Sequence, residues 1–134
     1  MCMPKLLDQY LLEFGEDVKV DAFNIKDVQM RLPAIKHKWV GRYVRCKQEV
    51  IKLGRERDTV KKTLIGKLQQ DAAVKLTDYV AGKTIEVNSL LREYDEKLEE
   101  CGLILEFLDE SKKTLTSMTW DIRNIVEIMK LETT

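Results

Sequence analysis

Thirteen positions between Val87 and Met129 advance by alternating steps of four and three without a break. They read Val87, Leu91, Tyr94, Leu98, Cys101, Leu105, Leu108, Lys112, Leu115, Thr119, Ile122, Val126 and Met129, and only Lys112 and Thr119 are polar. Residues at that spacing lie on one face of an α-helix, and a seam sustained over several heptads is a coiled-coil pattern. The spacing predicts a helix over 86–131, capped by Asn88 or, further back, Thr84, with Leu90, Ile104, Met118 and Ile125 widening the seam. A break is allowed near Ser111–Met118, where Ser111, Thr114, Thr116, Ser117 and Thr119 have mediocre helix propensity. The expected oligomerisation residues are Leu91, Tyr94, Leu98, Leu105, Leu108, Leu115, Ile122, Val126 and Met129.

A second stripe runs through Ile35, Trp39, Tyr43, Cys46, Val50, Leu53, Val60 and Leu64, again on one helical face. Lys38, Arg42, Arg45 and Lys52 fall near the opposite face. Pro33 either starts this helix after a short helix Asn24–Leu32 or kinks one long helix over 24–68. Asp21 or Asn24 caps its start. Gly54 and Gly66 weaken it locally, by about 1 kcal/mol each. Shorter helices are expected over 5–14, stopped by Gly15, and over 71–80, ended by Gly82. The fold class is all-α, an elongated hook or hairpin of long amphipathic helices. The parts of this single helical domain, 1–134, are an N-terminal helix (1–16), a basic arm (22–68), a connector (69–84) and a heptad helix (85–131).

Charge is separated along the chain although the formal net is zero. Between Ala34 and Lys67 eleven Lys or Arg face three Asp or Glu, a net of +8; between Ile85 and Ser111 two face nine, a net of −7. A helix of about 45 residues is roughly 65 Å long, against a radius of gyration near 14 Å for a globule of this chain length. One partner helix leaves the second apolar row, Val40, Val44, Ile51 and Ile65, uncovered. Self-association covers it, with charge complementarity guiding the pairing; the simpler alternative is an intramolecular hairpin.

Catalytic chemistry finds little support, and the expectation is no enzyme, no cofactor and no metal. The one histidine, His37, stands between two lysines with no general-base partner nearby in sequence. Cys2, Cys46 and Cys101 are odd in number and widely spaced, so neither a disulfide framework nor a zinc site is indicated, and an intracellular setting is expected. Cys46 and Cys101 read as core packing. Gly82-Lys83-Thr84 resembles the end of a phosphate loop, but the leading glycine position is Thr77. Glu99-Glu100 and Asp109-Glu110 read as solvated or salt-bridging acids. No apolar run is long enough to cross a bilayer, and no signal peptide is visible.

Polyanion binding is the stronger reading, because phosphate backbones are bound by Lys and Arg without a fixed motif. Lys36, Lys38, Arg42, Arg45, Lys47, Lys52, Arg55, Arg57, Lys61, Lys62 and Lys67 form a dense basic ridge. Of these, Lys38, Arg42, Arg45, Lys52, Arg55, Arg57, Lys61, Lys62 and Lys67 are the candidate nucleic-acid contacts. Trp39 and Tyr43 interleave with the ridge and offer stacking surfaces, although their place on the apolar stripe favours core packing. The competing readings are a coiled-coil scaffold or adaptor without nucleic-acid binding, and, more weakly, a basic helix lying on a membrane.

The order Asp17-Val18-x-Val20-Asp21, then Leu32-Pro33-x-Ile35-Lys36-x-Lys38-Trp39, then a basic helix ending near Gly66-Lys67, resembles the UvsY family of recombination mediators of T-even-like phages. Trp120-Asp121-Ile122-Arg123-Asn124-Ile125 is similar to that family's aromatic-x-Ile-Lys-Asn-type ending, and the likeness covers roughly Asp17 to Met129. The resemblance implies a small helical protein that forms a closed homo-oligomeric ring, a hexamer or heptamer. It implies binding of single-stranded DNA, and loading of a RecA-like phage recombinase onto strands coated by the phage single-strand-binding protein. It also implies a place in recombination-dependent replication and repair, in the cytoplasm of the infected bacterial host, without covalent chemistry. The family's DNA-contacting tetrapeptide falls near Val60-Lys61-Lys62-Thr63. Its Arg is not matched, its paired tyrosines are replaced by Leu64-Ile65, and Arg55, Arg57 and Lys67 are the nearest substitutes.

Overall fold

The computed structural model describes residues 3–86 and 88–133, and these form four helices: α1 (Met3–Asp17), α2 (Ile25–Asp71), α3 (Asp78–Ile85) and α4 (Ser89–Thr133). Val87, the first seam position, and Cys2 lie outside the described residues. The chain packs as two compact units. One takes in the described residues up to Cys46 together with those from Leu103 onward; the other is Lys47–Gly102. Helices α2 and α4 each contribute to both.

In the first unit α1 runs through Gly15 to Asp17 rather than stopping at the glycine. The turn that follows is built by side chains. Asp21 Oδ1 accepts from the backbone N–H of Phe23 (2.8 Å) and Asn24 (2.9 Å), while Asn24 Oδ1 accepts from the Asp21 N–H at 2.7 Å. Asp21 and Asn24 therefore close this turn reciprocally, in the manner of a capping box, on N–H groups that precede α2, and Asn24 Nδ2 also donates to the Lys19 carbonyl. Pro33 lies inside α2. It and Gln29, whose carbonyl loses its N–H partner at the proline, are both exposed, so water can satisfy that carbonyl.

The core of this unit joins Ile25, Val28, Leu32, Ile35 and Trp39 of α2 to Ile104, Leu108, Leu115, Met118 and Ile122 of α4, with Leu6, Leu7, Tyr10 and Phe14 of α1 against it. The two long helices run antiparallel here: Lys36 meets Thr119, and Tyr43 meets Lys112. Trp39 is 0% exposed. Tyr10, Phe14 and Phe107 meet it edge to face at 5.1–6.2 Å between ring centroids, the geometry that aromatic quadrupoles favour. Its indole N–H donates to Asp17 Oδ2 at 2.8 Å.

Along α4 from Cys101 onward the buried series is Cys101, Ile104, Leu108, Ser111, Leu115, Met118 and Ile122. It shares Cys101, Leu108, Leu115 and Ile122 with the expected seam but replaces Leu105, Lys112 and Thr119 by Ile104, Ser111 and Met118. The charge explains the choice: burying Lys112 would cost far more than burying Ser111, whose hydroxyl donates to the Phe107 carbonyl at 2.8 Å. No break occurs at Ser111–Met118. Thr116 and Ser117 satisfy their hydroxyls on the carbonyls of Lys112 and Lys113, four residues back.

The second unit holds Leu53, Ala81, Ile85, Leu91 and Cys101 as its buried apolar side chains. Burial raises the Cys101 thiol pKa, with Glu49 and Glu100 adding to it, which suits a packed rather than reactive cysteine. The short helix sits seven residues later than expected and contains Gly82 instead of ending there. Thr77 decides its start, accepting the Val80 N–H on its side-chain oxygen, and burial of Ala81 and Ile85 carries it past the glycine. Asn88 caps α4, accepting the Leu90 N–H at 2.9 Å.

These contacts set two stability expectations. Trp39→Ala removes the centre of the first core and should lower unfolding free energy by about 3–5 kcal/mol, measured by urea denaturation followed by circular dichroism. A Cβ at Gly54 meets nothing within 4 Å, so Gly54→Ala should instead stabilise α2 by up to about 1 kcal/mol.

Candidate nucleic-acid interface

The nine candidate cations divide into two groups. Lys38 and Arg42 are turned toward α1. The Lys38 ammonium bridges Glu13 and Asp17. The Arg42 guanidinium donates to both Glu13 oxygens, at 2.6 and 3.2 Å, and lies 4.7 Å from the ring centroids of Tyr10 and Trp39. Arg57 donates twice to Asp95, at 2.6 and 3.5 Å. These three are tied to carboxylates of the same chain, Lys38 and Arg42 to α1 and Arg57 to α4. A signal was present for Arg57: it falls between Leu53 and Val60 on the inward stripe.

Their ionisation agrees with this role. The hydrogen bond from Arg42 holds the Glu13 pKa below the ordinary carboxylate value, against the cost of burial and with help from Lys38. Burial opposes the charge of Lys38, but hydrogen bonds to Asp17 and Glu13 outweigh it and raise its pKa. The hydrogen bond to Asp95 likewise raises that of Arg57, against burial.

Arg45, Lys52, Arg55, Lys61, Lys62 and Lys67 form no ion pair among the described residues. Lys52, Arg55 and Lys62 are exposed at spacings of three and seven, so they share one outward face of α2 within the second unit. Lys67 is exposed further along, Lys61 is half-buried, and Arg45 is exposed on the α2 segment of the first unit. Trp39 is closed to any ligand, and Tyr43 is half-buried with the Lys112 ammonium 3.6 Å from its ring centroid. The exposed tryptophan is Trp120, which the basic-ridge pattern did not single out as a contact.

The expected oligomerisation residues also divide. Leu91, Leu108, Leu115 and Ile122 are buried within the chain itself, while Tyr94, Leu98, Leu105, Val126 and Met129 are half-buried. The apolar side chains that α4 leaves exposed are Leu90, Leu103, Trp120, Ile125, Ile128 and Leu131. On the same helix Glu93, Glu96 and Glu99 are exposed. No helix among the described residues is long and apolar enough to cross a membrane.

Comparison with known proteins bears on this arrangement. A family model described as "Recombination, repair and ssDNA binding protein UvsY" matches residues 13–134. Crystal structures of the bacteriophage T4 recombination mediator protein UvsY share the fold. Lattice type IV superposes with a TM-score of 0.80 at 17% identity, covering 94% of this chain and 98% of that one. Lattice type II gives 0.79 at 14% identity, covering 96% and 98%. No curated protein matches.

The pairing of Glu13 has a pH signature. Its folded pKa is depressed, so its stabilising contribution is present above the ordinary glutamate value of about 4.3 and is lost as pH falls through the folded pKa. The group is more than a third exposed, which limits the contribution to about 1 kcal/mol or less. Glu13→Gln should therefore be less stable than the wild type at pH 6, and the difference should shrink toward pH 3. Urea midpoints at the two pH values check this.

Proposed function

The chain belongs to the UvsY family, and from that premise we propose that it is a recombination mediator that binds single-stranded DNA as a homo-oligomer. The observation that carries the reading is the outward row Lys52, Arg55 and Lys62, cations without a carboxylate partner among the described residues. Unpaired cations at helical spacing suit a flexible phosphate backbone, because each phosphate contact releases condensed counterions and no base sequence is read. Lys61, Lys67 and Arg45 extend the charge available to the strand.

A single row of this kind binds weakly. Repetition around a closed ring, a hexamer or heptamer, raises the affinity through effective concentration rather than through new contacts. The exposed apolar side chains of α4, Ile125, Ile128 and Leu131 among them, are the surface we assign to neighbouring copies. A strand held by several subunits is extended and bent, which loosens the phage single-strand-binding protein and presents a site where a RecA-like recombinase can nucleate. No bond is made or broken in this role. The setting is recombination-dependent replication and repair in the infected host's cytoplasm.

A scaffold reading also has an observation behind it. The second unit presents an acidic row, Glu93, Glu96 and Glu99, on α4 as well as the basic row on α2, and these can pair between copies without any DNA.

Salt titration separates the two. For the wild type, log affinity for an oligo-dT strand should fall linearly with log salt, at a slope near −0.7 for each phosphate neutralised. Arg55→Ala with Lys62→Ala should flatten that slope by about 0.7 for each phosphate that the variant leaves unneutralised, while light scattering shows an unchanged oligomer. An oligomer that ignores the strand at low salt selects the scaffold. Dissolution of the oligomer by the double variant would make those side chains subunit contacts.

A further inference from the structure

Helix α3 carries an aromatic side chain that neither core uses. Tyr79 is 74% exposed, and its hydroxyl has no hydrogen-bond partner among the described residues. Lys83, one helical turn later, places its ammonium 5.8 Å from the ring centroid, the neighbour expected at a spacing of four. Lys61 and Ile65, also four apart, stand across from them on α2. Together the four side chains frame an open groove of about 210 Å³, and Gly82 adds no side chain to fill it.

We propose that this groove takes one base of a bound single strand, with Tyr79 as the stacking platform and Lys61 and Lys83 on the flanking phosphates. The inference rests on the single-strand reading above and assigns to it a contact outside the basic ridge. The exposed aromatic face beside two lysines points to the occupant. Lys61 and Lys83 form no ion pair among the described residues. Two carboxylates also line the groove, Asp78, which accepts from Gln69 Nε2 at 2.9 Å, and Glu86; neither forms an ion pair with Lys61 or Lys83 among the described residues, which leaves both ammonium groups available to phosphates. Lys61 directly precedes Lys62 of the outward row, about 100° around α2 from it, so the proposed strand turns around α2 between the row and the groove. An aromatic face beside lysines suits any base, because every base has a π-face. Trp120 is also exposed, but Lys112 and Lys113 beside it are already held by Asp109, and Lys113 also by Glu110.

The test compares an oligo-dT strand with an abasic deoxyribose-phosphate strand of equal length, using the full-length protein at low salt. Stacking is worth about 1–3 kcal/mol per base, so Tyr79→Ala should weaken oligo-dT binding by about fivefold or more. Its affinity for the abasic strand, its salt slope and its oligomeric state should stay as in the wild type. Tyr79→Phe should bind both strands as the wild type does. Unchanged oligo-dT binding by Tyr79→Ala, an equal loss on both strands, or a change of oligomeric state overturns the stacking role while leaving single-strand binding intact. A wild type that binds neither strand overturns both.

Discussion

The first unit depends on one contact, the enclosure of Trp39. Its ring is the meeting point of three helices: Tyr10 and Phe14 come from α1 and Phe107 from α4, all edge to face. The Asp17 carboxylate, which accepts the indole N–H, also accepts the Lys38 ammonium. That carboxylate is the last residue of α1, so the polar partner of the tryptophan also marks where the helix gives way to the turn. Val18 and Val20 of that turn pack against the core, and Asp21 and Asn24 lock it through reciprocal hydrogen bonds.

This accounts for the first part of the pattern by which the chain resembles its family. Asp17, Val18, Val20 and Asp21, then Leu32, Ile35, Lys38 and Trp39, are the residues that dock α1, build the turn and fill the core. They identify the fold through packing and say nothing directly about DNA. The outward cations Lys52, Arg55 and Lys62 carry the proposed activity, and the fold places few constraints on them beyond exposure. On α2 the packing residues Leu32, Ile35 and Trp39 of that pattern therefore precede the proposed working cations Lys52, Arg55 and Lys62.

The heptad of α4 shows a different limit. Two registers pass through Cys101, Leu108, Leu115 and Ile122, one adding Leu105, Lys112 and Thr119, the other Ile104, Ser111 and Met118. Periodicity alone ranks them nearly equally, since both advance by threes and fours. Desolvation separates them: a serine hydroxyl can donate a hydrogen bond to the carbonyl one turn back, whereas a lysine ammonium in the same place needs a buried partner. Lys112 lies instead at the edge of the core, against Tyr43 and Asp109.

The sequence by itself determined that the chain is all-helical with two long amphipathic helices, because the apolar spacing at 3.6 residues per turn is a local property of the chain. It also marked the inward stripe of α2, from Ile35 to Leu64, and the basic excess between Ala34 and Lys67. Only the tertiary structure decided which cations are tied up in the fold. Lys38 and Arg42 look like Lys52 and Arg55 in sequence, yet α1 brings Glu13 and Asp17 against the first pair, and no carboxylate among the described residues pairs with the second. An ion pair between distant segments depends on how helices dock, and docking is set by the aromatic core around Trp39 rather than by the charges themselves. The same holds for Tyr79: its place across from Lys61 and Ile65 comes from the packing of α3 on α2, which no spacing along the chain encodes.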